Sequence, residues 1–142
     1  MSTRSNVVVV NADGNHVDQF YHHWDGYLSG VGEELRKHLL YSIGINSLVK
    51  DMSVYDILIG ELSDCDGYEF EDSWASSDHN RLHADIEFTY VIRGNDLYFV
   101  YEWDICHKVT TYKDLIDHVC KDSNKIDLTH HLTDEDDQKL GD

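Results

Sequence analysis

The stretch 84–103, ADIEFTYVIRGNDLYFVYEW, alternates apolar and polar residues on both sides of a short turn. A period of two that is interrupted at Arg93–Asp96 predicts two antiparallel strands joined as a hairpin. One face of this hairpin is apolar, and the other carries Asp85, Glu87 and Glu102. We therefore expect a sheet that buries one face and leaves the acidic face exposed.

A similar pattern opens the chain. Residues 6–11 are rich in valine, residues 12–15 contain an Asp-Gly pair, and residues 16–23 return to an extended pattern. An Asp-Gly pair between two such runs is typical of a hairpin turn. The sequence thus predicts a second hairpin at the N-terminus.

Three helices are predicted from apolar spacing and capping residues. The first covers 30–42, with Ser29 as its N-cap and Gly44 as its stop. Ser53 is the expected cap of the second helix, and Thr111 that of the third. Each of these residues has a side-chain oxygen that can accept a hydrogen bond from a free backbone N–H at the helix start.

The predicted element order is therefore ββααββα. It favours a single α+β domain over 1–132, in which two hairpins form an antiparallel sheet with the helices packed on one face. Within it, the stretch 61–80 lacks periodicity and is expected to be an acidic loop. Residues 133–142 are expected to form an acidic C-terminal tail.

The charge balance excludes several classes of function. The 142 residues include 28 Asp and Glu against 11 Lys and Arg, a formal net charge of −17. Such a field repels phosphate backbones and anionic lipid, so we expect neither direct nucleic-acid binding nor membrane binding. Three cysteines without paired spacing and the absence of an export signal predict a cytoplasmic protein.

The acidity is concentrated between residues 51 and 80, which hold nine carboxylates and no Lys or Arg. Aromatic residues are interspersed there, and a basic partner would relieve the mutual repulsion. An acidic surface that serves only solubility is the plainer interpretation. The sharper hypothesis is a nucleic-acid mimic whose predicted partner-binding residues are Asp64, Asp66, Glu69, Phe70, Glu71, Asp72, Trp74, Asp85, Glu87 and Glu102.

The histidines offer an alternative. A short His-x-Asp pattern occurs twice, at His23 and Asp25 and again at His83 and Asp85, each time near a predicted strand. Convergence of the two would suit a ligand or metal site, or acid–base chemistry on a phosphodiester. The plainer interpretation is that each histidine bonds a nearby carbonyl or carboxylate. The stretch 64–72 does not follow the EF-hand register, so the sequence predicts no bound metal, no cofactor and no catalytic residue.

Two segments carry a resemblance. Residues 21–32, YHHWDGYLSGVG, and residues 83–92, HADIEFTYVI, resemble small uncharacterised proteins of phages and prophages. In those proteins a His-Trp-Asp-Gly-Tyr-Pro segment leads into a Gly-Val-Gly turn, and a His-Gly-Asp-Ile-Glu-Tyr segment opens a strand. Here Leu28 stands in place of the proline and Ala84 in place of the glycine. The resemblance covers about a third of the chain.

The resemblance implies a protein that acts in the cytoplasm of a host bacterium. It favours an inhibitor that binds a basic groove of a host nucleic-acid-binding defence protein, of the anti-CRISPR or anti-restriction type. Two alternatives remain open at this point. One is a small enzyme or ligand binder that acts on a nucleotide or phosphodiester through the His/Asp residues, and the other is a structural or assembly component of a virion.

Overall fold

A mixed sheet of five strands forms the centre of the protein in the computed structural model, which describes residues 3–140. The spatial order of the strands is β3-β2-β1-β4-β5. The pairs β1–β2 and β4–β5 are antiparallel, as the two sequence patterns predict. The strands are β1 (Ser5–Val10), β2 (His16–His22), β3 (Tyr68–Ala75), β4 (Phe88–Arg93) and β5 (Asp96–Tyr101).

The arrangement of these pairs differs from the prediction. Strand β1 pairs in parallel with β4, so the sheet is not purely antiparallel. Strand β1 is central, and the four valines at 7–10 are each at most 1% exposed. A strand that is buried on both faces appears in the sequence as a continuous apolar run, without alternation. That run therefore indicates the middle of a sheet and not half of a separate hairpin.

Five α-helices surround the sheet within the described residues. A π-helical turn at Leu28–Gly32 leads into the first of them, and a 3-10 turn at Asp122–Asn124 follows the fourth. None of the helices in this part of the chain has the length and apolar character needed to cross a membrane. The helices are α1 (Glu33–Leu48), α2 (Val54–Ser63), α3 (Ile105–Lys108), α4 (Tyr112–Val119) and α5 (Asp134–Leu140).

Two of the three predicted helix caps are confirmed. The side chain of Ser53 accepts a hydrogen bond from the N–H of Asp56, and Thr111 forms a capping box with Asp114. Ser29 does not cap a helix, because it lies inside the π-helical turn. Gly44 does not end α1 either, since a glycine inside a helix costs only about 1 kcal/mol and this helix continues to Leu48.

Helices cover both faces of the sheet, so the prediction of one exposed face is wrong. On one face Val7 and Val9 pack with Leu35 of α1 and Leu58 of α2. On the other face the neighbouring valines of β1 pack with apolar residues of α4, which include Leu115. Strands β4 and β5 carry apolar residues on both faces of the sheet. Helix α4 covers the apolar residues on this second face.

The stretch 61–80, which the sequence indicates as a loop, contains β3. This strand forms the edge of the sheet and pairs antiparallel with β2, with a register shift between Gln19 and Phe20. Its residues 69–72 are exposed. An edge strand with exposed carboxylates shows little alternation, and for that reason its sequence does not indicate a strand.

The acidic tail predicted at 133–142 is also corrected, because α5 occupies Asp134–Leu140; the last two residues lie outside the described part of the chain. The side chain of Asp137 in α5 accepts a hydrogen bond of 3.1 Å from the backbone N–H of Ser29, and it also accepts from the Ser29 hydroxyl. The C-terminal acidic segment is therefore folded against the turn that precedes α1.

Candidate functional site

The strand register brings five separate parts of the chain to one end of the sheet. Tyr68, His22, Ser5, Phe88 and Tyr101 lie side by side in one row across the strands. Neighbouring strands are about 4.8 Å apart, so this row is roughly 19 Å wide. The residues just beyond it form a surface that we call the acidic rim, whose seven carboxylates are Asp25, Asp64, Asp66, Asp85, Glu87, Glu102 and Asp104.

The two segments that carry the resemblance meet at this rim, on either side of the residues that lead into β1. The N–H of Gly26 donates to the carbonyl of Thr3 at 2.8 Å, and the N–H of Glu87 donates to the carbonyl of Arg4 at 3.3 Å. A Cβ atom at position 26 would lie 2.8 Å from that Thr3 carbonyl oxygen. A side chain at this position would therefore separate the first segment from β1.

Asp25 and Asp85 share an uncommon backbone conformation. Their φ angles are 52° and 59°, and within residues 3–140 they alone among non-glycine residues have positive φ. Aspartate tolerates this left-handed region better than most residues. The repeated His-x-Asp pattern in the sequence thus corresponds to two left-handed turns at the same end of the sheet.

The structure places His23 and His83 on either side of Tyr21. The Tyr21 hydroxyl oxygen lies 2.8 Å from His23 Nδ1, and the His83 ring stacks on the Tyr21 ring with 4.3 Å between centroids. His83 Nε2 contacts the carboxylate of Glu71. The two histidines thus belong to one cluster, in which Tyr21 lies between them.

The aspartates of the predicted ligand site are used differently. Asp25 accepts a hydrogen bond of 2.7 Å from the Tyr27 hydroxyl, while Asp85 is exposed. In the described part of the chain, no group of three or more His, Cys, Asp or Glu side chains is placed to hold a metal ion. The four residues of the predicted ligand site therefore lie at the same end of the sheet, but their side chains do not converge on one metal ion.

The predicted partner-binding residues of the stretch 64–72 are exposed. Asp64 and Asp66 lie at the rim, and Glu69, Glu71 and Asp72 continue from it along β3. Phe70 is 49% exposed although its ring packs on Phe20 at 5.4 Å. Across residues 3–140, no Lys or Arg forms an ion pair with these five carboxylates. Glu71 contacts His83, and the charges of the other four carboxylates are available to a partner.

Trp74 is less exposed than its neighbours 69–72, and its role as a partner contact stays a prediction. Its ring is half-buried, and the guanidinium carbon of Arg81 lies 3.7 Å from the ring centroid. Arg81 is the first cation after the acidic stretch in the sequence. An arginine that stacks on an aromatic ring contributes about 0.5–1 kcal/mol at such sites, so this contact serves the fold.

The acidic hairpin face predicted from the sequence does not exist. Asp85 and Glu87 precede β4 and Glu102 follows β5, so all three lie beyond the strands, while α4 packs on the face assigned to them. Glu102 is partly neutralised, because Lys108 Nζ lies 3.4 Å from it, and His118 Nε2 contacts it at 3.3 Å. The same three residues nevertheless take part in the rim.

Two exposed tryptophans at the rim were missed by the sequence analysis. Trp24 is 60% exposed and Trp103 is 56% exposed. Each lies two residues beyond the end of a strand and directly precedes an aspartate of the rim, Asp25 or Asp104. That repeated Trp-Asp pair is the signal that would have identified them, because large exposed aromatic side chains are typical interface anchors.

Two tyrosines respond to the negative field at this end of the sheet. The pKa of Tyr27 is raised, first by its hydrogen bond to Asp25 and then by burial and by the nearby charges of Asp137 and Asp134. The pKa of Tyr21 is raised mainly by burial; the nearby charge of Arg4 lowers it, and the charges of Glu69 and Glu71 raise it. Both effects disfavour a further negative charge at the rim.

No protein-family model matches this chain, and neither the curated proteins nor the solved structures include a match.

Proposed function

We propose that the acidic rim, together with the exposed carboxylates of β3, binds a basic nucleic-acid groove of another protein and competes with nucleic acid for it. The observation that supports this most directly is the convergence of seven carboxylates from four separate chain segments on one end of the sheet. A field of one sign steers a basic partner to the surface and is relieved when the two meet. The protein acts in this proposal as a stoichiometric inhibitor and not as an enzyme.

The rim has the two components that such an interface needs. Carboxylates take the place of phosphates against Lys and Arg of the groove, and Trp24, Trp103 and Phe70 supply large apolar contacts. Interface energy is usually concentrated in a few aromatic and Arg contacts, while exposed charges mainly determine the association rate and the partner. We therefore assign selection of a basic partner to the carboxylates and most of the affinity to the aromatic side chains.

The resemblance to phage proteins determines which partners to test first. We propose host defence enzymes that hold nucleic acid in a basic groove, of the CRISPR or restriction type, as targets in the bacterial cytoplasm. The clustering of carboxylates supports this choice over a charge that serves solubility alone, since solubility requires no concentration at one end of the fold.

The test is a binding experiment with matched variants. The surface variant carries Asp64→Asn, Asp66→Asn, Glu69→Gln, Glu71→Gln and Asp72→Asn. The control removes the same charge from elsewhere on the molecule through Asp13→Asn, Asp51→Asn, Asp117→Asn, Asp122→Asn and Glu135→Gln. Tagged protein is used to capture partners from host lysate at low and moderately high salt, and candidates are then purified and titrated.

The proposal requires a basic nucleic-acid enzyme that is released by salt and by competing DNA or RNA. It also requires that the surface variant bind at least about tenfold more weakly than the control. Equal binding by the two variants would show that net charge alone matters and would overturn the assignment of this surface. A purified partner that binds this protein and nucleic acid at the same time would overturn the competition.

A further inference from the structure

A small pocket opens at the rim, between β4, β5 and α5, with a volume of about 190 Å³. Three aromatic rings and two carboxylates take part in its lining. The residues that line the pocket are Thr3, Tyr27, Glu87, Phe88, Tyr101, Asp137 and Leu140.

The aromatic walls are held in place by the fold. Phe88 and Tyr101 are partners in the β4–β5 ladder, and their rings stack with 4.8 Å between centroids and 23° between planes. Phe88 is buried, whereas Tyr101 is 44% exposed and forms the open side. The hydroxyl of Tyr27 is fixed by its hydrogen bond to Asp25. The rings are therefore positioned before anything binds.

The two carboxylates come from different elements, since Glu87 precedes β4 and Asp137 lies in α5. Glu87 is half-buried, and within residues 3–140 it forms no ion pair with a Lys, Arg or His. Asp137 is oriented by the N–H and hydroxyl of Ser29. Among the described residues, no basic side chain lines the pocket. Its negative charge is thus not neutralised by the chain itself.

We propose that this pocket receives the ammonium or guanidinium group of a Lys or Arg side chain from the protein partner. The faces of aromatic rings attract cations, and a cage of rings with carboxylates is a typical receptor for an alkylated or primary ammonium group. An anion is repelled here, and an uncharged apolar group would leave two carboxylates without compensation. This inference rests on the proposed function, since the cation belongs to the basic partner.

The pocket volume and its location both favour a protein side chain. A volume of about 190 Å³ is sufficient for a single long side chain. The opening is continuous with the rim, because Glu87 belongs to both and the N–H of Glu102 donates to the Glu87 carbonyl at 3.1 Å. A Lys or Arg that projects from a partner seated on the rim would therefore meet the pocket directly.

The pocket is tested without knowledge of the partner. The probes are the blocked peptides acetyl-Gly-Lys-Gly-amide and acetyl-Gly-Arg-Gly-amide, with the norleucine peptide acetyl-Gly-Nle-Gly-amide as an uncharged comparison. Binding to the full chain is followed by NMR through the methyl signals of Leu140 and the ring signals of Tyr101. We expect saturable shifts with the charged peptides at a Kd on the order of 1 mM, and no saturation with the norleucine peptide.

Variants locate the binding. Tyr101→Ala and Glu87→Gln are each expected to weaken the charged peptides about threefold or more, whereas Tyr101→Phe retains the ring and the binding. Glu135→Gln removes one charge from the same helix as Asp137 without touching the pocket, and it should bind like the parent. If Glu135→Gln weakens binding as much as Glu87→Gln, or if the norleucine peptide binds equally well, the pocket is not a cation receptor.

The outcomes also separate this inference from the proposed function. If the peptides fail to bind while the purified partner still binds the rim, the pocket assignment is wrong and the surface assignment stands. If the peptides bind as expected while the five-residue surface variant binds the partner like its control, the surface assignment fails and the pocket is retained. Free lysine that binds more tightly than the blocked peptide would indicate a small-molecule amine site and would overturn the assignment to a protein side chain.

Discussion

Arg36 donates two hydrogen bonds of 2.7 Å to the carboxylate of Glu33, three residues earlier in α1. The same carboxylate accepts a hydrogen bond of 2.9 Å from the N–H of Leu132, and His131 Nδ1 lies 2.9 Å from it. The hydrogen bonds from Arg36 are the main reason why the pKa of Glu33 is lowered from 4.5 to about 2. This buried charge joins the start of α1 to the chain that leads into α5.

We expect Glu33→Gln to destabilise the protein at neutral pH. A pKa lowered from 4.5 to about 2 corresponds to about 3 kcal/mol in the free energy of unfolding. Because the folded-state pKa lies below the unfolded value, this contribution is complete above pH 4.5 and is lost as the pH falls through 2. Urea unfolding of the parent and the variant at several pH values measures it. A variant as stable as the parent at pH 7 would contradict the prediction.

The contribution of Asp18 to the free energy of unfolding should change with pH in the direction opposite to that of Glu33. Asp18 is 4% exposed, accepts hydrogen bonds from the hydroxyls of Tyr55 and Ser73, and its pKa is raised mainly by burial. A carboxyl whose folded pKa is raised adds stability at low pH, and that stability is lost as the pH rises through the folded value. We expect Asp18→Asn to abolish this component, so the parent should gain stability relative to the variant on mild acidification. Equal pH profiles for the two in urea unfolding would disprove this.

The exposed tryptophans are predicted to contribute to partner binding and not to stability. Trp24→Ala combined with Trp103→Ala should weaken a purified partner about tenfold or more, because aromatic anchors contribute about 1–2 kcal/mol each or more. Tyr41→Ala is the control, since Tyr41 is 53% exposed but lies on α1, away from the rim. Titration calorimetry and thermal unfolding together separate binding from folding. Equal losses in the control would show that the tryptophans have no special role.

Variants of the histidine cluster distinguish the proposed inhibitor from a protein with a nucleotide or phosphodiester site. We expect His23→Ala and His83→Ala to leave partner binding within about threefold of the parent, because the carboxylates of the rim remain. A nucleotide or phosphodiester site would instead lose its function at unchanged stability. Tyr21→Phe is the companion variant, because it removes the hydroxyl near His23 and keeps the ring on which His83 stacks. Loss of inhibition in both histidine variants, with normal unfolding, would favour the ligand site.

A chain that ends at Leu132 is expected to fold. None of the residues of α5 is fully buried, and the contacts of Glu33 with Arg36 and Leu132 remain. We expect a loss of about 1 kcal/mol, which lowers the Tm of a domain of this size by about 4 °C. The cation pocket should disappear, because Asp137 and Leu140 are removed. Thermal unfolding and the peptide titration measure the two effects, and failure of the truncated chain to fold would contradict the boundary at 132.

The sequence was a sufficient guide wherever a local rule decides the structure. The turn at Asp13 and Gly14, the alternation in 84–103 and the caps at Ser53 and Thr111 each depend on a few neighbouring residues. The acidity of 51–80 is likewise visible in the sequence, because charge does not depend on the fold. The predictions were wrong at two positions where a longer-range effect overrode a local signal. Ser29 contacts α5, and Gly44 lies inside a helix that continues to Leu48.

Among the described residues, the pairing of distant segments was decided only by the tertiary structure. The parallel contact of β1 with β4, the edge position of β3 and the placement of α4 on the second face depend on long-range burial, which has no local signature. The rim follows from these pairings, since the alignment of the strand ends brings together carboxylates that lie far apart in the chain. The sequence by itself determined how much negative charge the protein carries, and the strand register determined where that charge meets Trp24, Trp103 and the pocket at Tyr101.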